Sequence, residues 1–80
     1  VGALILYTVP ERHTHEIEVT PLGADPSARR VHSAVLERSV SGRTLYAATY
    51  PELRAGEYEV CCEGSPRVTI TAGAVAELQI

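Results

Sequence analysis

Residues 53–80 read LRAGEYEVCCEGSPRVTITAGAVAELQI, and their alternation decides the fold. Tyr58, Val60 and Cys62 alternate with Glu57, Glu59, Cys61 and Glu63. Val68 and Ile70 alternate with Arg67, Thr69 and Thr71, and Ala76, Leu78 and Ile80 with Val75, Glu77 and Gln79. A period of two gives a strand with one face inward and one outward. Gly64, Pro66 and Gly73 separate the runs. Register follows from keeping apolar positions on one side, because a slip of one residue turns a strand inside out. A loop at Glu63-Gly64-Ser65 pairs Cys62 with Pro66, Val60 with Val68 and Tyr58 with Ile70. A loop at Ala72-Gly73-Ala74 pairs Ile70 with Ala76 and Val68 with Leu78. The stretch therefore predicts an antiparallel three-stranded meander with one apolar face, which the residues before it must cover.

Working back, Arg43 to Tyr50 (RTLYAATY) is rich in β-formers, and Pro51 ends it. Arg29 to Val40 (RRVHSAVLERSV) reads two ways. As a helix, Asp25 is the N-cap, Pro26 takes the first position, and Val31, Ala34 and Val35 form a stripe. As a strand, it makes a hairpin through Ser41-Gly42 that pairs Val35 with Ala48 and Leu36 with Ala47. The strand reading is preferred because RTLYAATY needs a neighbour. Glu16 to Leu22 alternates with Ile17 and Val19 inward. Gly2 to Val9, GALILYTV, is continuously apolar, as in a central strand or one buried on both sides. The sum is an all-β fold, a seven-stranded antiparallel β-sandwich over residues 1–80, with the meander at its C-terminal end.

Eighty residues make one domain with a thin core. A net charge of −3 gives no electrostatic reason to bind nucleic acid or an anionic membrane. All seven basic residues are arginine, which excludes lysine Schiff-base chemistry. No apolar run approaches the ~18 residues of a membrane span. The chain starts at Val1 rather than Met, as a processed or excised chain would, and the cytoplasm is the default expectation. The neighbours Cys61 and Cys62 point to opposite faces of a strand, so Cys62 is expected in the core and Cys61 exposed, unbridged, as suits a reducing compartment.

Leu53-Arg54-Ala55-Gly56-Glu57-Tyr58-Glu59-Val60 resembles the L-x-x-G-x-Y-x-V segment of transthyretin-like and carboxypeptidase-regulatory-like β-sandwiches. Val68-Thr69-Ile70-Thr71-Ala72-Gly73 resembles the V-T-V-x-x-G segment that follows it there. The resemblance covers the last third of the chain and implies an Ig-like/transthyretin-like sandwich. One transthyretin-like branch hydrolyses 5-hydroxyisourate with histidines and an arginine and ends in Tyr-Arg-Gly-Ser. This chain ends Glu77-Leu78-Gln79-Ile80, so the accessory, non-catalytic carboxypeptidase-regulatory-like modules are the better analogy. The whole chain also resembles small actinobacterial β proteins, a resemblance that implies no activity.

Residues with chemical potential are few. His13 and His15 share one side of an extended segment, and with His32 or Glu16 they are the candidate metal ligands, although no zinc spacing is present. Ser33, Ser39, Ser41 and Ser65 lie in no nucleophile elbow, and the glycines form no phosphate loop. Glu57, Glu59, Cys61 and Glu63 make an acidic outward stripe, with Arg67 expected across from Cys61 and Thr69 from Glu59. Arg12, Arg29 and Arg30 are candidates for anion binding. Of Tyr7, Tyr46, Tyr50 and Tyr58, at least two should be largely buried, since Phe and Trp are absent. These features predict a binding or structural module without catalysis or cofactor. It would join another protein or a second copy through a sheet edge. The alternative is a metal-binding protein using His13, His15 and His32.

Overall fold

The computed structural model describes residues 1–23 and 30–80. Eight strands follow one another: β1 (Gly2–Thr8), β2 (Glu16–Pro21), β3 (Val31–Ala34), β4 (Leu36–Val40), β5 (Arg43–Leu53), β6 (Gly56–Val60), β7 (Arg67–Ile70) and β8 (Val75–Gln79). A single turn of 3₁₀ helix, Pro10–Arg12, lies between β1 and β2. The first sheet has the order β4-β5-β1-β8 and the second β3-β2-β6-β7. The apolar run GALILYT is thus a central strand. Among the described residues, no helix is long and apolar enough to cross a membrane.

The core lies between the sheets. Leu4 and Leu6 of β1 and Ala48, Tyr50 and Leu53 of β5 meet Ile17 and Val19 of β2, Tyr58 and Val60 of β6 and Ile70 of β7. Cys62, Ala76, Leu78 and Ile80 pack against this cluster, as their alternation predicts. Tyr50 and Tyr58 are the buried tyrosines. The Tyr50 hydroxyl donates to the Ile17 carbonyl at 2.6 Å, joining one sheet to the other, and the Tyr58 hydroxyl donates to the Arg54 carbonyl at 2.8 Å.

Four expectations are corrected. The segment expected as one strand over 29–40 holds two strands in different sheets, Val31–Ala34 and Leu36–Val40, so the described residues form eight strands and not seven. The break is at Val35, which is fully buried and pairs with neither sheet. Its N–H donates to the His15 carbonyl at 2.9 Å, and its carbonyl accepts from the Thr14 N–H at 2.8 Å. Those bonds take the backbone groups that the expected Val35–Ala48 pair would use. Beyond the break the hairpin forms in the expected register, Leu36 opposite Ala47. Ser41 and Gly42 both have positive φ, 50° and 75°, as a two-residue type I′ turn requires. Asp25 and Pro26, the caps of the helical alternative, lie outside the described residues.

Second, Pro51 does not end its strand. β5 runs on to Leu53 through a register shift opposite Gly2–Leu4, the irregular position where proline is tolerated within a sheet. Third, the β6–β7 register is displaced by two residues, with Tyr58 opposite Val68 and Gly56 opposite Ile70. The connection is longer than three residues because Cys61 leaves that ladder, its N–H donating to the Glu18 carbonyl of β2 at 2.9 Å. A shift of two keeps every side chain on its face, so the inward set survives.

Fourth, β8 does not pair with β7. It crosses to the first sheet and runs parallel to β1, Leu4 opposite Ala76 and Leu6 opposite Leu78, so there is no three-stranded meander and the fold is not wholly antiparallel. The crossing turn is tied to the start of β1: Gly73 N–H donates to the Val1 carbonyl and Ala3 N–H to the Ala74 carbonyl, both at 2.9 Å. The approach is close enough that a Cβ on Gly2 would overlap the Thr71 carbonyl oxygen and come within 2.9 Å of Ile70 Cγ2.

Candidate functional site

The outer faces of the two sheets differ in chemistry. On the second sheet, Glu18, Thr20, His32, Glu57, Glu59, Arg67 and Thr69 alternate with the buried residues, giving a solvated, charged surface. On the first, Ala3, Ile5 and Tyr7 of β1 lie beside Leu45, Ala47 and Thr49 of β5. Edge strand β4 adds Leu36, Arg38 and Val40, and edge strand β8 adds Val75, Glu77 and Gln79. Leu36, Val40 and Val75 are 47%, 52% and 61% exposed. An open groove of ≈ 260 Å³ crosses this face, lined by Ile5, Tyr7, Val40, Leu45 and Ala47 with Arg38 and Thr49.

The geometry follows from β1. Its residues are apolar at both parities, but the second sheet covers only Leu4, Leu6 and Thr8. Ile5 and Tyr7 are left half-buried on the open side. An antiparallel sheet with one wet side normally carries polar residues there, and the second sheet obeys that rule. The polar groups on this face are Arg38, Arg43, Thr49, Glu77, Gln79 and the Tyr7 hydroxyl. Arg38 Nη2 donates to Thr49 Oγ1 at 3.4 Å, and the Tyr7 hydroxyl donates to Glu77 Oε1 at 2.5 Å. The bond to Glu77 holds the Tyr7 phenol above its ordinary pKa, so Tyr7 stays a donor.

The second sheet assembles a cluster that sequence reasoning missed. Glu18 sits between two strand neighbours: its Oε1 is 2.6 Å from His32 Nε2, and its Oε2 accepts from Cys61 Sγ at 3.5 Å. Arg30 Nη1 lies 3.6 Å from Oε2, and Thr20 Oγ1 lies 3.5 Å from Cys61 Sγ. The signal was alternation alone, since Glu18, His32 and Cys61 all take outward positions. Only the pairing of Glu18 with His32 and the contact of β2 with Cys61 put them in one row. The carboxylate occupies the middle, so the thiol is bonded to Glu18 rather than to the imidazole that would activate a nucleophile.

His32, foremost, and then Cys61 and Arg30 hold the Glu18 carboxyl below its usual range. A depressed folded-state pKa contributes stability above the unfolded pKa of ~4.3 and loses it as pH falls through the folded value. Glu18→Gln should therefore lower the urea midpoint slightly at pH 7, and that difference should shrink as the pH is taken down to about 2 and the folded-state carboxyl protonates. Equal midpoint differences at both pH values would show that ionised Glu18 stabilises nothing.

The structure disperses the other candidate residues. His13 packs edge-on against Tyr46, ring centroids 5.5 Å apart, and the His15 carbonyl serves Val35. With His32 on Glu18, the three histidines do not form one set, and among the described residues no group of three or more His, Cys, Asp or Glu is placed to hold a metal ion. Arg12 ends the 3₁₀ turn and Arg30 serves Glu18, while Arg29 lies outside the described residues. Across the acidic stripe, Arg67 faces Glu59 rather than Cys61, and Thr69 faces Glu57 rather than Glu59, the same two-residue displacement. Cys61 and Cys62 are both free, Cys61 exposed and Cys62 half-buried. Compared with known proteins, the chain matches no family model, no curated protein and no solved structure.

Proposed function

We propose that this chain is a non-catalytic β-sandwich association module of the Ig-like, transthyretin-like type. It presents the outer face of the first sheet, with the free edge β4, to another protein surface. One observation carries the reading: an apolar, grooved sheet face lies uncovered on a molecule whose opposite face is charged. Soluble chains rarely leave large contiguous apolar patches open unless something covers them. Burial of such surface yields ~25 cal/mol per Å², so covering it stabilises a complex with no new chemistry. The bond from Tyr58 to the Arg54 carbonyl supports the sandwich type, because a tyrosine tied to backbone a few residues upstream recurs in Ig-like domains. The unbridged cysteines favour a reducing compartment such as the cytoplasm.

The test is Val40→Lys beside Glu57→Lys, a control on the charged face. Val40 is half exposed, so the substitution should change the unfolding free energy of the single chain, measured at a concentration too low for association, by no more than ~0.5 kcal/mol. Val40→Lys should abolish association, read by sedimentation and by pull-down of bound protein, and Glu57→Lys should not. Association that survives Val40→Lys and fails with Glu57→Lys would move the binding surface to the other sheet.

A further inference from the structure

We propose that the occupant of this face is a second copy of the chain, docked face to face about a two-fold axis that runs along the strands. The inference rests on reading the face as an association surface, and the charges at its borders identify the occupant. The order β4-β5-β1-β8 puts Arg38 on one edge strand and Glu77 on the other, with Ile5, Leu45 and Ala47 between them. Among the described residues, neither Arg38 nor Glu77 has an ion-pair partner within the chain. The Arg38 guanidinium reaches inward over β5 to Thr49, level with Ile5 and Glu77 in the register.

Closed pairs of identical chains form about two-fold axes, with residue i meeting j while j meets i. In the aligned class of sheet packing the strands stay within about 30° of each other, and a two-fold axis in the contact plane then has two orientations. An axis across the strands lays β4 on the partner's β4. Arg38 then faces Arg38 and Glu77 faces Glu77, like charges enclosed by an apolar contact. An axis along the strands lays β4 on the partner's β8, so that Arg38 of each copy comes opposite Glu77 of the other, two such pairs in all. Only the second arrangement answers both charges.

Size permits the contact. The molecule's two longer dimensions, 42 and 26 Å, cap any one face at roughly 1,000 Å², so a dimer burying the ~800 Å² per partner of a standard stable interface would use most of that face. A lipid surface fits less well, since a membrane-facing apolar patch calls for a basic surround. Among the described residues the basic side chains on the face are Arg38 and Arg43, opposed by Glu77, in a chain of net charge −3.

Sedimentation equilibrium over a wide concentration range tests this on wild type, Arg38→Glu, Glu77→Arg, the double reversal and Val40→Lys, with circular dichroism to verify folding. Wild type should dimerise. Each single reversal sets like charges together and should weaken the dimer at least ~10-fold, the double reversal should recover to within ~3-fold, and Val40→Lys should be monomeric. A folded wild-type monomer at every concentration overturns the second copy as occupant, while the face still stands or falls by the pull-down of another protein. A dimer lost with Val40→Lys but indifferent to charge reversal overturns the axis along the strands. A dimer that survives Val40→Lys overturns both the proposal and the reading beneath it.

Discussion

Tyr50→Ala should lower stability by about 3–5 kcal/mol, and Tyr50→Phe by about 1–2 kcal/mol. A chain of this size has about 4–12 kcal/mol in total, so the alanine variant should lose about a quarter or more of its stability and, at the low end of that range, populate the unfolded state at room temperature. Tyr50 is 1% exposed, and its ring fills the middle of the core between the sheets. Truncation removes that packing and leaves a cavity that a thin core with few large side chains cannot close. The hydroxyl adds a separate contribution. It is buried, and its one observed bond, to the Ile17 carbonyl at 2.6 Å, crosses from the first sheet to the second. Burial, and then the neighbourhood of Cys61, push the Tyr50 phenol above its ordinary pKa, so the donor persists into alkaline solution. Urea denaturation of the three proteins separates the two effects. A phenylalanine variant as stable as wild type would mean that the inter-sheet bond contributes nothing and that the ring alone carries the position.

The second large effect is at the crossover between sheets. Val35→Pro should cost about 3 kcal/mol or more, and Val35→Ala about 2 kcal/mol. Alanine loses only apolar burial from a fully enclosed side chain. Proline also removes the N–H that donates to the His15 carbonyl, leaving that acceptor short of a partner. Ala34 already belongs to a strand, so the restriction that proline places on its predecessor adds little. Denaturation midpoints for the two variants decide the matter. A proline variant no worse than alanine would show that the Val35–His15 bond does not hold the crossover.

Both sites also mark where the sequence was legible and where it was not. The 36–47 hairpin could be read because its information is local: a Ser-Gly pair, with the glycine free to take positive φ, between runs of β-formers marks both turn and register. The break at Val35 could not be read, because it depends on Thr14 and His15, some twenty residues upstream. β6–β7 is an intermediate case. The hairpin and its faces were legible, and the register was missed by two residues because the backbone of Cys61 was taken by β2. The Glu18 cluster was hidden for the same reason, since alternation marks its members as outward without saying which strands lie side by side.

The apolar outer face was half visible. A strand apolar at both parities asks for cover on both sides, and GALILYT asked for it from the start. Which side the chain itself would cover, and that Leu36, Val40, Leu45 and Val75 would gather on the other, required the strand order. The sequence by itself determined the all-β class, the inward set Tyr58, Val60, Ile70, Ala76 and Leu78, and the hairpin through Ser41-Gly42, because side-chain period and turn chemistry act over a few residues. Only the tertiary structure decided that β8 runs parallel to β1, that the 29–40 segment divides between two sheets, and that one outer face is left apolar. Backbone donors and acceptors are the same on every strand. The choice among long-range pairings therefore falls to whichever closure buries the whole inward set at once.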